Sequence, residues 1–382
     1  MGRIYLDYNA TTPLDAHVFE VMLPFFNDTW GNPSSIHQVG RMARAALDES
    51  RDRIAAVFKC RPSEVVFTSG GTESNNLAIL GSARHHQEKG KHIVCSSIEH
   101  HAVLHALEYL EKRENFQITK VGVDSEGRVD PDRLQRELRP DTILVSVMAA
   151  NNEIGTIQPV AQIGSLCRER GILFHTDAVQ WFGKEAFKDI HQFNADLVSV
   201  CSHKIYGPKG AGALYIRSPL LPDPILFGGG HENERRAGTE NLSGIIGLAE
   251  VIERFIKEPV FPAERLWNLT RRLESLLLQV TGVQLASPRK GRLANTVSFL
   301  VKGADSIALL ANFDMEGVCA SSGSACTAGS LQPSHVIESL GATPGLANSL
   351  VRFSLGRETT EDEIGRVESL LPEVICRAQA PE

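Results

Sequence analysis

No stretch of about 20 apolar residues occurs in this chain, so it carries no candidate membrane span. The opening residues, Met1 to Asn9, hold one basic side chain and no apolar core, which is not the pattern of a signal peptide. Positive charge is not in excess: 39 Lys and Arg stand against 46 Asp and Glu, a net charge of −7. That balance argues against nucleic acid or an anionic membrane as the main partner. Cysteine is sparse and unpatterned. The seven residues Cys60, Cys95, Cys167, Cys201, Cys319, Cys326 and Cys376 are odd in number, scattered and never C-x-x-C. This excludes a disulfide framework or a zinc finger and fits a reducing, cytoplasmic setting. There is no internal repeat and no low-complexity tract.

What is present is an ordinary globular composition, 42% hydrophobic and 22% charged over 382 residues. That length suits two domains, or one large domain with an appendage. Between Glu64 and Arg217, β-branched runs at Val65–Thr68, His92–Ser97, Thr142–Met148, Ile172–Thr176, Leu197–Cys201 and Ala213–Arg217 alternate with helical patterns at Asn75–His86, His101–Arg113 and Val160–Arg170. Near-continuous apolar strands separated by helices predict an α/β fold. Its sheet is expected to be mainly parallel, covered on both faces, and to bind ligands beyond the carboxyl ends of the strands. The polar connection Phe227–Asn241 is too long for a plain turn. A helix is expected over Leu242–Ile256, and the break from Pro259 to Pro262 suggests a boundary. Strands over Val283–Ala286, Thr296–Val301 and Leu350–Leu355, with helices over Ser306–Phe313 and Glu361–Arg377, then predict a smaller α+β domain. The expected division is 16–258 for the large domain and 1–15 with 259–382 for the small one.

Four segments at the strand ends can carry chemistry. Cys201-Ser202-His203-Lys204 leaves a strand for a Gly/Pro loop, which places Lys204 either as a Schiff-base lysine or as a plain surface lysine. Asp177, at the end of an apolar run, could pair with a pyridinium nitrogen or cap the next helix. Ser69-Gly70-Gly71-Thr72-Glu73-Ser74-Asn75 joins a strand to a helix and suits a phosphate, or is an ordinary capped turn; it lacks the G-x-x-x-x-G-K spacing. His100, one strand along, could stack on an aromatic cofactor or shuttle a proton. His101 and His105 have an i, i+4 spacing that can bind metal, but no third ligand stands near them in sequence, so no metal is expected. A phosphate loop, a pyridinium acid, a Schiff-base lysine and a stacking histidine together specify pyridoxal 5'-phosphate.

A fifth segment, Ser321 to Ser330, contains Cys326 among small polar residues and glycines, with no large apolar side chain. It cannot be a core strand and is expected to be a mobile loop that carries its thiol to a site.

These segments resemble a family. Gly70-Gly71-Thr72-Glu73-Ser74, Asn151-Asn152-Glu153-Ile154-Gly155, His175-Thr176-Asp177-Ala178-Val179-Gln180, His203-Lys204, Gly228-Gly229-Gly230-His231-Glu232, Arg236-Ala237-Gly238-Thr239-Glu240-Asn241 and Ser321 to Ser330 look like a group I cysteine desulfurase, the NifS/IscS-type branch of the class V aminotransferases. The likeness runs from Tyr5-Leu6-Asp7 to Arg352-Phe353-Ser354-Leu355-Gly356-Arg357. It implies a fold type I pyridoxal-phosphate-dependent transferase, and a homodimer with shared active sites. It also implies removal of sulfur from L-cysteine to give L-alanine and a persulfide on Cys326. An acceptor such as an iron–sulfur scaffold protein would then receive the sulfur. By the same resemblance Lys204 carries the cofactor, Asp177 pairs with the ring nitrogen and His100 stacks on the ring. Gln180 and Asn152 contact the ring hydroxyl region. Gly71, Thr72, Ser202 and His203 hold the phosphate, Thr239 reaches the phosphate of the partner's cofactor, and Arg352 clamps the substrate carboxylate. One departure stands out. The family often has Ser-Gly-His-Lys where this chain has Cys201-Ser202-His203-Lys204, leaving a backbone N–H or Ser202 to replace the missing hydroxyl. Competing readings are an aminotransferase or β-lyase of the same fold, and a sulfur carrier without catalysis.

Overall fold

The computed structural model describes residues 2–323 and 333–379. The chain opens with β1 (Ile4–Tyr5). A seven-stranded sheet follows, made of β2 (Val65–Thr68), β3 (His92–Ser96), β4 (Gln117–Val121), β5 (Thr142–Ser146), β6 (Leu173–Asp177), β7 (Leu197–Cys201) and β8 (Gly212–Ile216). Their order is β2-β8-β7-β6-β5-β3-β4. Pairing is parallel throughout except at β8, which runs antiparallel to both of its neighbours.

The strands read as continuous apolar runs because both faces of the sheet are covered. Val65 and Phe67 join one buried cluster while Val66, between them, joins another. That is the period-two alternation of a strand between two cores. The first cluster holds the helices Gln38–Phe58 and Leu242–Phe255, and the second holds His101–Glu114. Strand β4 was not expected from sequence. It is an edge strand, half exposed, with Gln117, Thr119 and Lys120 in place of apolar residues, and a charged edge deters pairing with other chains.

Beyond the sheet, β9 (Val283–Leu285) and β10 (Thr296–Val301) precede β11 (Val318–Cys319) and β12 (Val351–Ser354). Three of these form an antiparallel sheet in the order β12-β10-β9, against which the helix Ala263–Leu277 packs. The N-terminal segment ties the two sheets together. Strand β1 pairs with β11, Asp7 bridges to Ser354, and Thr12 N donates to the carbonyl of His203 at 3.0 Å. Residues 7–12 are thereby laid across the carboxyl end of β7. None of the described helices is long and apolar enough to cross a membrane.

Candidate active site

A cavity with about 780 Å³ of empty space, its mouth included, opens beyond the carboxyl ends of β6 and β7. Nine of the expected site residues line it: Lys204, Asp177, His100, Gly71, Thr72, Asn152, Gln180, His203 and Arg352. Cys326 lies outside the described residues.

Strand β7 delivers Lys204, whose Nζ donates to the carbonyls of Asn9 and Ala10, each at 2.6 Å. Strand β6 delivers Asp177. Its carboxylate accepts from Val179 N at 3.0 Å and from Asn75 Nδ2 at 2.7 Å. Burial still raises its pKa, those bonds and Lys204 opposing, so the site favours a cation against this carboxylate. His100 caps the helix His101–Glu114, with Nδ1 accepting from Ala102 N at 3.1 Å. Burial, with Lys204 nearby, pushes it down to about 4. It is therefore neutral near pH 7, and the bond at Nδ1 leaves the proton on Nε2.

The helical run opens at Gly71, four residues before the expected start at Asn75, and continues through Leu77–Gly81 to His86. Gly70 allows this with φ 147°, a conformation that only glycine adopts freely. Glu73 steadies the turn by accepting from Ser69 N at 2.9 Å and pairing with Arg236 at 2.8 Å. The weak helix formers Gly, Thr, Ser and Asn hid this first turn from the sequence. Gly71 and Thr72, which open this helix, line the cavity, and the first turn of a helix is where an anion is favoured.

Arg352 is 1% exposed. Its Nη1 donates to the carbonyls of Asn152 and Gly323, and its Nη2 to Asp7 at 2.9 Å. Its Nε is buried with no partner. Asn152, and not Asn151, faces the cavity, because Asn151 is committed to Ile98 O and to the N–H groups of Glu153 and Ile154.

Two expected residues do not reach the cavity. Ser202 is fully buried, and its Oγ faces Gly207. β7 ends at Cys201, and in the turn that follows it His203 and Lys204 line the cavity while Ser202 does not. Cys201 lines it too, against the N–H groups of Lys204 and Gly71, its thiol pushed up to about 11 chiefly by burial. Thr239 is exposed on a separate cleft with Ser69 and Arg236.

The structure adds residues that sequence reasoning missed: Asn9 and Ala10 on Lys204, Asn75 on Asp177, Asp7 on Arg352, and Lys184 behind Gln180. A polar run, Asp7 to Thr12, beside the first apolar strand was the available signal for the first of these. His335 also joins His101 and His105, with ring centroids 4.8 and 4.9 Å from and within that pair. Among the described residues, no group of three or more His, Cys, Asp or Glu is placed to hold a metal ion.

Residues 4–367 match the family model described as Aminotransferase class-V. The chain belongs to that family. Among its relatives, a cysteine desulfurase IscS of Dictyoglomus turgidum is 46% identical over 98% of this chain and 94% of the relative. One from Methanosarcina thermophila is 44% identical over 97% and 92%. A solved NifS-like protein superposes with a TM-score of 0.91 at 34% identity, covering 98% of this chain and 99% of that one. The structure described as SspA in complex with cysteine gives 0.82 at 34%, covering 94% and 100%. The fold is that of the fold type I enzymes.

Class-V aminotransferases are pyridoxal-phosphate-dependent enzymes, and the residues of this one fit the cofactor. Two buried polar atoms on cavity residues, Asn75 Oδ1 and Arg352 Nε, have no protein partner. The cavity joins a lysine amine, a buried carboxylate and the start of a helix at Gly71 and Thr72. These match a carbonyl carbon, a ring nitrogen and a phosphate respectively.

Proposed function

We propose that this enzyme is a cysteine desulfurase. The observation that carries the reading is the meeting of Lys204, Asp177 and Arg352 in one cavity, with Arg352 also holding the carbonyl of Gly323. Cys326 follows Gly323 by three residues in the sequence. The net reaction is L-cysteine plus the Cys326 thiol giving L-alanine plus a Cys326 persulfide, which balances without an added oxidant.

The bound cofactor supplies an electron-accepting ring that weakens bonds at the substrate Cα. Lys204 would hold it and move the Cα proton, while Asp177 would keep the ring nitrogen protonated. Gly71, Thr72 and His203 hold the phosphate, with backbone N–H groups beside Cys201 in place of the Ser202 hydroxyl. Asn152 and Gln180 meet the ring hydroxyl region. Arg352 orients the substrate through Nε. His100 stacks on the ring, and its Nε2–H is a donor for a substrate thiolate instead of a base for the thiol.

Residues 16–258 are proposed as the cofactor domain, and 1–15 with 259–382 as the smaller one. Exposed Trp30, Ile36 and Phe227 support a homodimer in which Thr239 completes the partner's phosphate site. A protein acceptor, with iron–sulfur assembly the leading role, takes the sulfur. The described cysteines are all free thiols, in keeping with a cytoplasmic enzyme.

Mass spectrometry after L-cysteine treatment tests this reading. One added sulfur on Cys326 and stoichiometric alanine are expected. Cys326→Ala should bind cysteine but form no persulfide and release little sulfide. Sulfide release by that variant at the wild-type rate would return the enzyme to the β-lyase reading.

A further inference from the structure

Behind the cavity lies a second buried amine. Lys184 is 3% exposed, and its Nζ stands 5.1 Å from the centre of the Phe261 ring. It donates to Gln180 Oε1 at 2.6 Å and to Asn9 Oδ1 at 2.7 Å. Gln180 Nε2 in turn donates to the Asn9 carbonyl at 2.9 Å, the same oxygen that holds Lys204. The turn after β6 sets this up, because Gln180 and Lys184 are i, i+4 and share one face. The Gln180 amide is thus gripped at both ends. Rotating it by half a turn would set its oxygen against the Asn9 carbonyl, two acceptors with no hydrogen between them. One N–H of the amide is left uncommitted on a residue that lines the cavity.

We propose that Lys184 is a positioning residue: by holding the Gln180 oxygen it makes Gln180 present an N–H donor, and not a carbonyl, to the cofactor. Burial, chiefly, lowers the Lys184 pKa far below that of an ordinary lysine, with Lys204 adding to the effect. The bonds to Gln180 Oε1 and to Asn9 Oδ1 are both donated by the amine. The inference rests on the cofactor site proposed above.

With the cofactor bound through Lys204, its ring oxygen would share the proton of the Lys204 nitrogen. An N–H donated to the oxygen competes for it and lets the proton leave at lower pH. Lys184→Met should therefore raise the pH midpoint of the cofactor's visible absorption band by about one unit. It should also weaken pyridoxal phosphate binding to the stripped protein roughly tenfold. Gln180→Ala should raise the midpoint similarly, and Lys184→Met added to it should move the midpoint no further. Unchanged values in Lys184→Met overturn the proposal, as does a shift that persists undiminished in the Gln180→Ala background. A wild-type midpoint in Gln180→Ala alone also overturns it, so the idea stays testable if Lys184→Met does not fold. A wild-type protein that never acquires a visible band with pyridoxal phosphate defeats the cofactor reading itself.

Discussion

Glu99 ends the segment after β3 and is fully buried, one Oε accepting from Ser96 and from Met148 N while the other has no partner. Burial pushes its pKa up to about 8 from 4.5. Because the folded value is the higher one, this group's contribution to stability is whole below pH 4.5. It declines as pH rises toward 8, by at most about 1.4 kcal/mol per pH unit. His100 has the opposite sign. Its folded value near 4 lies below the usual 6.5, so its contribution is lost as pH falls through that range. Glu99→Gln, which cannot ionise, should lose less stability than the wild type between pH 6.5 and 8. Urea unfolding at the two pH values checks this, and equal losses would refute it. At this scale, what the sequence made legible was residue type at strand ends, which was enough for Lys204, Asp177 and His100. Lys184 and Ser202 were not legible. A lysine in a turn reads as a surface charge, and which way Ser202 faces is set by the turn that follows β7.

Strand β8 couples the sheet to the loop at Gly70 proposed to hold the phosphate. A methyl group at Gly212 would stand 2.7 Å from Gly70 Cα and 2.8 Å from the Val200 carbonyl, so backbone would have to move. Gly212→Ala should cost about 1–3 kcal/mol as an overpacked site. It should also weaken cofactor binding by displacing the loop that opens the helix at Gly71. Thermal melts and a pyridoxal phosphate titration separate the two effects, and a stable variant with wild-type affinity would remove this coupling. Among elements, the buried strands were legible because two covering cores favour apolar residues at most of their positions. β4 was not, since an edge position tolerates polar residues. The helix Gln38–Phe58 has no counterpart among the expectations. Its exposed charged face and buried Ala43, Leu47 and Ile54 become evident only against the packed structure.

At the scale of the whole molecule, several large apolar side chains among the described residues stand exposed. Ile36 is 90% exposed, Phe227 83% and Trp30 69%, and Ser34 Oγ meets His231 Nε2 at 3.3 Å, joining the two segments that carry them. Apolar side chains grouped in this way mark an interaction face more often than chance exposure. Phe227 lies on the connection that also bears Thr239, and Arg236 of that connection grips Glu73 in the phosphate loop. A second copy seated here would therefore cover the patch and approach the cofactor site together. Sedimentation should find a dimer, and Trp30→Glu with Ile36→Glu should shift it to monomer while the far-ultraviolet spectrum is kept. Because the phosphate site is then incomplete, the monomer should lose pyridoxal phosphate on dialysis where the dimer retains it. A wild-type monomer would refute the dimer. A monomeric variant that keeps its cofactor would confine Thr239 to a role outside the phosphate site.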